Sequence, residues 1–124
     1  METIKVFVYK NLHKNKFSIK ALEGPYKNLV IAHRNDLVLT NVTPKVSQAG
    51  RHRVLAEKCK NVHAGLVGYW SEDASFDIQK PLNAITYDPY KYDNFVYKGS
   101  QEPFEHSAVV YMSTDVNHTE LLTH

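Results

Sequence analysis

Seven histidines and one cysteine are the residues of this 124-residue chain with the widest chemical reach. Two imidazoles four residues apart on one helical face are a common start for a metal site. His52 and His63 are eleven residues apart, and His106, His118 and His124 lie near the C-terminus, so none has that spacing. In His106-Ser107 and His118-Thr119 each hydroxyl directly follows its histidine. Two-histidine phosphoester chemistry needs an intervening residue, so that both hydroxyls aim into one site. Cys59 falls on the apolar side of a helical pattern, where a thiol behaves as a small hydrophobe, and no activating base accompanies it. The chain has no phosphate-binding glycine loop, no dinucleotide-binding turn, no His-Glu-x-x-His and no acid followed two residues on by lysine. No catalytic residue, metal or cofactor is expected.

Two other groups point to binding. The stretch AGRHRVLAEKCKNVHAG carries Arg51, Arg53, Lys58 and Lys60, with Lys45 upstream and His63 at its end. Such a set can neutralise phosphates or meet an acidic protein, or it can be the solvated face of an ordinary helix. Tyr87, Tyr90, Tyr92, Phe95 and Tyr97 form an aromatic cluster interleaved with Lys91 and Lys98. Aromatics beside cations stack bases, anchor protein interfaces, or simply pack across strands.

The overall net charge of +2 hides an asymmetry. Residues 1–70 hold twelve Lys/Arg against four Asp/Glu, a balance of +8, and residues 71–124 hold three against nine, a balance of −6. One basic and one acidic surface follow if the halves do not interleave in space. The N-terminal METIKVFVYK alternates like a strand and lacks the features of a signal peptide. A lone cysteine allows no internal disulfide, and a reducing cytoplasm is the expected setting, with no membrane partner.

The elements that must position these groups read as one α+β domain over 1–124, mostly antiparallel β. Period-two alternation predicts strands over 3–10, 16–22, 28–33 and 36–42, an N-terminal four-stranded meander with a tight turn at Arg34-Asn35. Thr43-Pro44 is expected to break the pattern. One central helix around residues 47–60 follows, capped by Ser47, with Val54, Leu55, Cys59 and Val62 inward and Arg53, Glu57 and Lys60 outward. Strands are expected over 62–70 and 105–114. Between them lie an acidic loop or edge strand over 71–81 and a turn at Asp88-Pro89 followed by aromatic alternation. Residues 115–124 read as a helical turn or a frayed tail.

Three stretches, FSIKALEGPYKNLVIAH, KVSQAGRHRVLAEKCKNVHAGLVG and ITYDPYKYDNFVYK, resemble a group of small accessory proteins encoded by tailed bacteriophages and prophages. The similarity spans about residues 4–111 and is sharpest at Gly50-Arg51-x-Arg53-Val54-Leu55 and Lys60-Asn61-Val62-His63-Ala64. It implies a compact accessory protein of the infected bacterium's cytoplasm, and proteins of this kind often inhibit a host enzyme or defence complex. The expected function is therefore non-enzymatic binding that blocks or redirects a host nucleic-acid-handling or defence complex. Arg51, Arg53, Lys58 and Lys60 would supply electrostatic docking and the Tyr87–Tyr97 cluster the anchors. Direct DNA or RNA binding is the alternative. A small enzyme or nucleotide-signal binder is a third, which needs several of Arg34, Arg51, His33, His63 and the tyrosines to converge on one pocket.

Overall fold

A computed structural model of the protein describes residues 3–11, 14–58, 62–114 and 119–124, and within them one nine-stranded antiparallel sheet carries one α-helix. The elements in chain order are β1 (Ile4–Asn11), β2 (Lys16–Ala21), β3 (Val30–Arg34), β4 (Asp36–Val46), α1 (Gln48–Glu57), β5 (Ala64–Trp70), β6 (Asn83–Thr86), β7 (Val96–Tyr97), β8 (Ser107–Thr114) and β9 (Thr119–Thr123). Their order across the sheet is β3-β2-β1-β5-β4-β8-β9-β6-β7. The protein is thus mostly β with a short helix, in keeping with an α+β reading in its coarse form.

Alternation along β1 sets the inner face. Val6 and Val8 are fully buried, opposite Ala21 and Ile19 of β2 on one side and Gly68 and Leu66 of β5 on the other. The same face continues through Leu39 of β4 and Val110 and Met112 of β8 to Ile85 of β6, in one hydrophobic core with Phe17, Phe95 and Phe104. A flat sheet cannot gather residues from strands so far apart, so the sheet curls around this core. Lys10 of β1 crosses the enclosed space to donate through Nζ to the hydroxyls of Thr114 and Thr119 on β8 and β9. Gly65 permits a close contact on the outer face, where a Cβ would meet the carbonyl of Val8 and the ring of Phe7.

The meander has three strands, not four. β1, β2 and β3 pair in succession, but β4 pairs with β5 and β8 and lies four places from β3. Asn35 alone joins β3 to β4, so it makes a corner of the curled sheet rather than a hairpin turn, and its carbonyl accepts from Thr114 N–H. The reason is coverage: between β5 and β8, β4 has both its edges paired, and Leu37, Val38 and Leu39 are all buried. β4 also runs through Pro44, contrary to the expected break. Its pairing with β8 ends at Val42, so the missing proline N–H falls on a strand edge. Asn41 takes φ 49° at the bulge between Thr40 and Thr43, a conformation asparagine tolerates.

The helix is shorter than expected. Ser47 caps it by accepting from Gly50 N–H at 3.1 Å, and it ends at Glu57 with Lys58 as a left-handed C-cap at φ 54°. Only Gly50 and Val54 are buried, while Val62 lies beyond the helix and is 43% exposed, so Val62 is no part of a helical core stripe. Cys59 and Lys60 lie outside the described residues, as does His118. The C-terminal segment is not a helical turn: Thr119–Thr123 pairs with β8 and β6, and Thr123, fully buried, donates its hydroxyl to the carbonyl of Val109. β6 falls in a stretch with no strand expectation, and the aromatic alternation after Asp88-Pro89 contracts to the two residues of β7.

Candidate functional site

Strand order decides what the charge asymmetry means. β3, β2, β1, β5 and β4 all come from the first seventy residues, and β8, β9, β6 and β7 all come from the remainder. The halves therefore do not interleave. The stretch of sheet from β3 to β4, with α1 attached, carries the +8 balance, and the stretch from β8 to β7 belongs to the half with the −6 balance.

α1 lies against the loop between β6 and β7 and brings the two residue groups singled out above together. Arg51 Nε donates to the carbonyl oxygens of Pro89, at 3.0 Å, and Tyr92, at 2.9 Å. Gln48 Nε2 donates to the carbonyl of Asp93 at 2.8 Å. The loop is itself ordered by Asp88: its side chain accepts from Tyr90 N–H, and its carbonyl accepts from Lys91 and Tyr92 N–H. The turn expected at Asp88-Pro89 is thus present. Gly50 lets the helix approach the start of β5, because a Cβ there would sit 2.6 Å from His63 Cβ. His63 Nε2 lies 2.7 Å from Tyr87 Oη, with the two rings edge to face. Burial raises the Tyr87 pKa above its ordinary value. The nearby Arg51 charge opposes this, and Asp88 and Asp93 add to it.

The candidate residues therefore separate by role. Arg51 is half-buried and its Nε donates to the loop backbone, so it braces the loop against the helix. Phe95 is 5% exposed and stacks under Tyr87 at 5.1 Å, which makes it core rather than anchor. Tyr97 is half-buried with its ring edge to face with Phe104, and Tyr92 is half-buried. His63 and Tyr87 are half-buried and bonded to each other. Arg53 and Lys58 are exposed on the helix, and Tyr90 is 62% exposed on the loop beside it. Lys45, Lys91 and Lys98, which flank or interleave the two groups, are exposed as well.

A second feature brings together residues that sequence spacing does not connect. A groove of about 500 Å³ is lined by Arg34, Asp36, Trp70, Glu72, Phe76 and Tyr111 among others. Arg34 pairs with Glu72 and lies 5.5 Å from the Trp70 ring centre, and Phe76 stacks between Tyr111 and His124. Its members come from three distant stretches, so no local pattern announces it. Of the residues named for a nucleotide-signal pocket, Arg51, His63 and Tyr87 come together at the helix–loop cluster, while Arg34 lines the separate groove and His33 bonds Ser18. The described residues contain no group of three or more His, Cys, Asp or Glu placed to hold a metal ion. Among the described residues no helix is long and apolar enough to cross a membrane.

Comparison with known proteins agrees with the phage resemblance. The family model described as Mycobacterium phage L5 gene 82 protein matches residues 1–120. The Gene 82 protein of Mycobacterium phage L5 is 40% identical over 117 residues, covering 89% of this chain and 90% of that one. No solved structure matches. A match over nearly the whole length, at this identity, places the chain in the family of the Mycobacterium phage L5 gene 82 protein.

Proposed function

We propose that this phage-family protein is a non-enzymatic accessory protein of the infected cell's cytoplasm. It binds a host complex that handles nucleic acid or serves defence, and so blocks or redirects it. The observation that supports this reading is the strand order, which keeps the basic first seventy residues as one contiguous side of the sheet. A contiguous field of one sign steers an oppositely charged partner and fixes its orientation. Arg53 on α1 and Lys58 at its C-cap are exposed cations on that side, and Tyr90 is an exposed ring on the loop that α1 packs against.

The test is affinity purification from nuclease-treated host lysate with the protein and with an Arg53→Glu/Lys58→Glu variant. Both positions are exposed, so the fold should survive the reversal. A host complex retained by the parent and lost by the variant supports the reading, and equal retention by both overturns it. Tyr90 standing beside a basic helix favours direct nucleic-acid binding as the second reading. That reading predicts association with labelled single-stranded DNA or RNA that falls steeply with salt, and its absence at low salt eliminates it.

A further inference from the structure

The two edges of the sheet are finished differently. β7 is two residues long, and its own chain returns over it: Tyr97 N–H bonds the Glu102 carbonyl, Phe104 N–H bonds the Phe95 carbonyl, and Val96 bridges to Pro103. That edge is closed by short length and proline, two usual protections against strand addition. β3, at the other end, pairs only with β2 among the described residues. Its sequence, Val-Ile-Ala-His-Arg, contains no lysine and no proline.

The free side of β3 can be assigned from its neighbours. Leu22 N–H bonds the carbonyl of Lys5 on β1, and Ala21 N–H bonds the carbonyl of Leu29. Alternation then turns the backbone groups of Phe17 and Ile19 toward β3, and those of their partners Arg34 and Ala32 back toward β2. His33, between them, presents its N–H outward, and its outward C=O already accepts from Arg34 Nη1 at 2.9 Å. The register shift at Ile19/Lys20 makes Ile31 the extra residue of a bulge, so His33 is the centre of the regular edge.

Next to this edge stands an exposed apolar knuckle. Tyr26 is 61% exposed and Leu29 57%, with Val30 also exposed. Exposure here goes with order. Lys27 N–H bonds the Gly24 carbonyl, Asn28 N–H that of Ala21 and Leu29 N–H that of Tyr26, with Asn28 at φ 72°. Two large side chains on a fixed turn lose little entropy on binding, as interface anchors require. The stretch 16–34 around them has four Lys/Arg and one Glu, with Lys20 and Lys27 beside the knuckle.

We infer that β3 and its knuckle form a docking edge for an extended, acidic segment of a partner protein, which adds as a strand at His33 and seats apolar side chains on Tyr26 and Leu29. This rests on the binding reading above and gives the partner a form. Backbone hydrogen bonds would supply the register, and the basic surround would select acidic sequences.

The test pans a yeast-displayed random peptide library on the purified protein. Enriched peptides should be acidic with interspersed apolar residues. Their affinity should fall about tenfold or more in Tyr26→Ala/Leu29→Ala and in His33→Pro. His33→Ala gives up the same hydrogen bond to Ser18 but keeps the outward N–H, and should bind nearly as the parent does. No enrichment, enrichment of basic peptides, or equal loss in both His33 variants would overturn the inference. So would light scattering that shows a dimer which His33→Pro dissociates, because the occupant would then be a second copy. If lysate capture depends on Arg53 and Lys58 but not on Tyr26, Leu29 or His33, the binding reading stands and this edge is not its site.

Discussion

Arg51 Nε lies 2.9 Å from the carbonyl oxygen of Tyr92 and 3.0 Å from that of Pro89, which ties the first arginine of the basic helix to the loop that carries the tyrosines. A charged donor shared by two carbonyls is among the stronger hydrogen-bonding arrangements in proteins. Arg51→Ala should therefore cost about 1.5–3 kcal/mol of unfolding free energy, read from urea denaturation, whereas Arg53→Ala should stay within about 0.5 kcal/mol. Comparable effects at both positions would show that the loop does not depend on Arg51.

His63 and Tyr87 give a pH-dependent test. Burial raises the Tyr87 pKa in the folded state, so the neutral phenol is favoured there. The stability this confers is fully present below the unfolded tyrosine pKa of about 10 and is lost as pH rises through the higher folded value. Unfolding free energy should fall above about pH 10 in the parent and fall less in Tyr87→Phe. Below that pH, Tyr87→Phe should be weaker than the parent by a constant amount of about 1 kcal/mol, for the lost bond to His63. Parallel curves throughout the alkaline range would mean that Tyr87 does not titrate differently on folding.

Gly50 reverses an ordinary rule. Glycine to alanine within a helix commonly stabilises by about 0.5–1 kcal/mol. Here the added Cβ would lie 2.6 Å from His63 Cβ, so the helix or β5 must shift. Gly50→Ala should destabilise by about 1–3 kcal/mol in thermal or chemical denaturation, and should also disturb the His63–Tyr87 contact.

Lys58 holds a left-handed C-cap at φ 54°, a conformation that costs a residue with a Cβ about 1–2 kcal/mol. Lys58→Gly removes that strain but loosens the unfolded chain, for a net gain of about 0.5–1 kcal/mol in calorimetry. An unchanged or lowered melting temperature would place the strain elsewhere.

What the sequence determined by itself is whatever rests on near neighbours. Val6 and Val8 alternate with Lys5 and Phe7, which is enough to predict β1 and its buried face. Ser47 as an N-cap is enough to predict a helix start, and Asp88-Pro89 a turn. Membership of the phage family was likewise legible in local stretches such as those around Gly50 and His63. Tertiary structure alone decided which strands are partners. β3 and β4 are one residue apart yet four places apart in the sheet, because β4 pairs both its edges, with β5 and with β8. It also decided that Arg51 braces a loop while Arg53 faces solvent, a difference that two residues of helical rotation produce only when something packs against one side. The same strand order groups the strands of the basic half together and those of the acidic half together. Net charge is additive along the chain, but a charged surface depends on which strands are neighbours, and that depends on long-range burial.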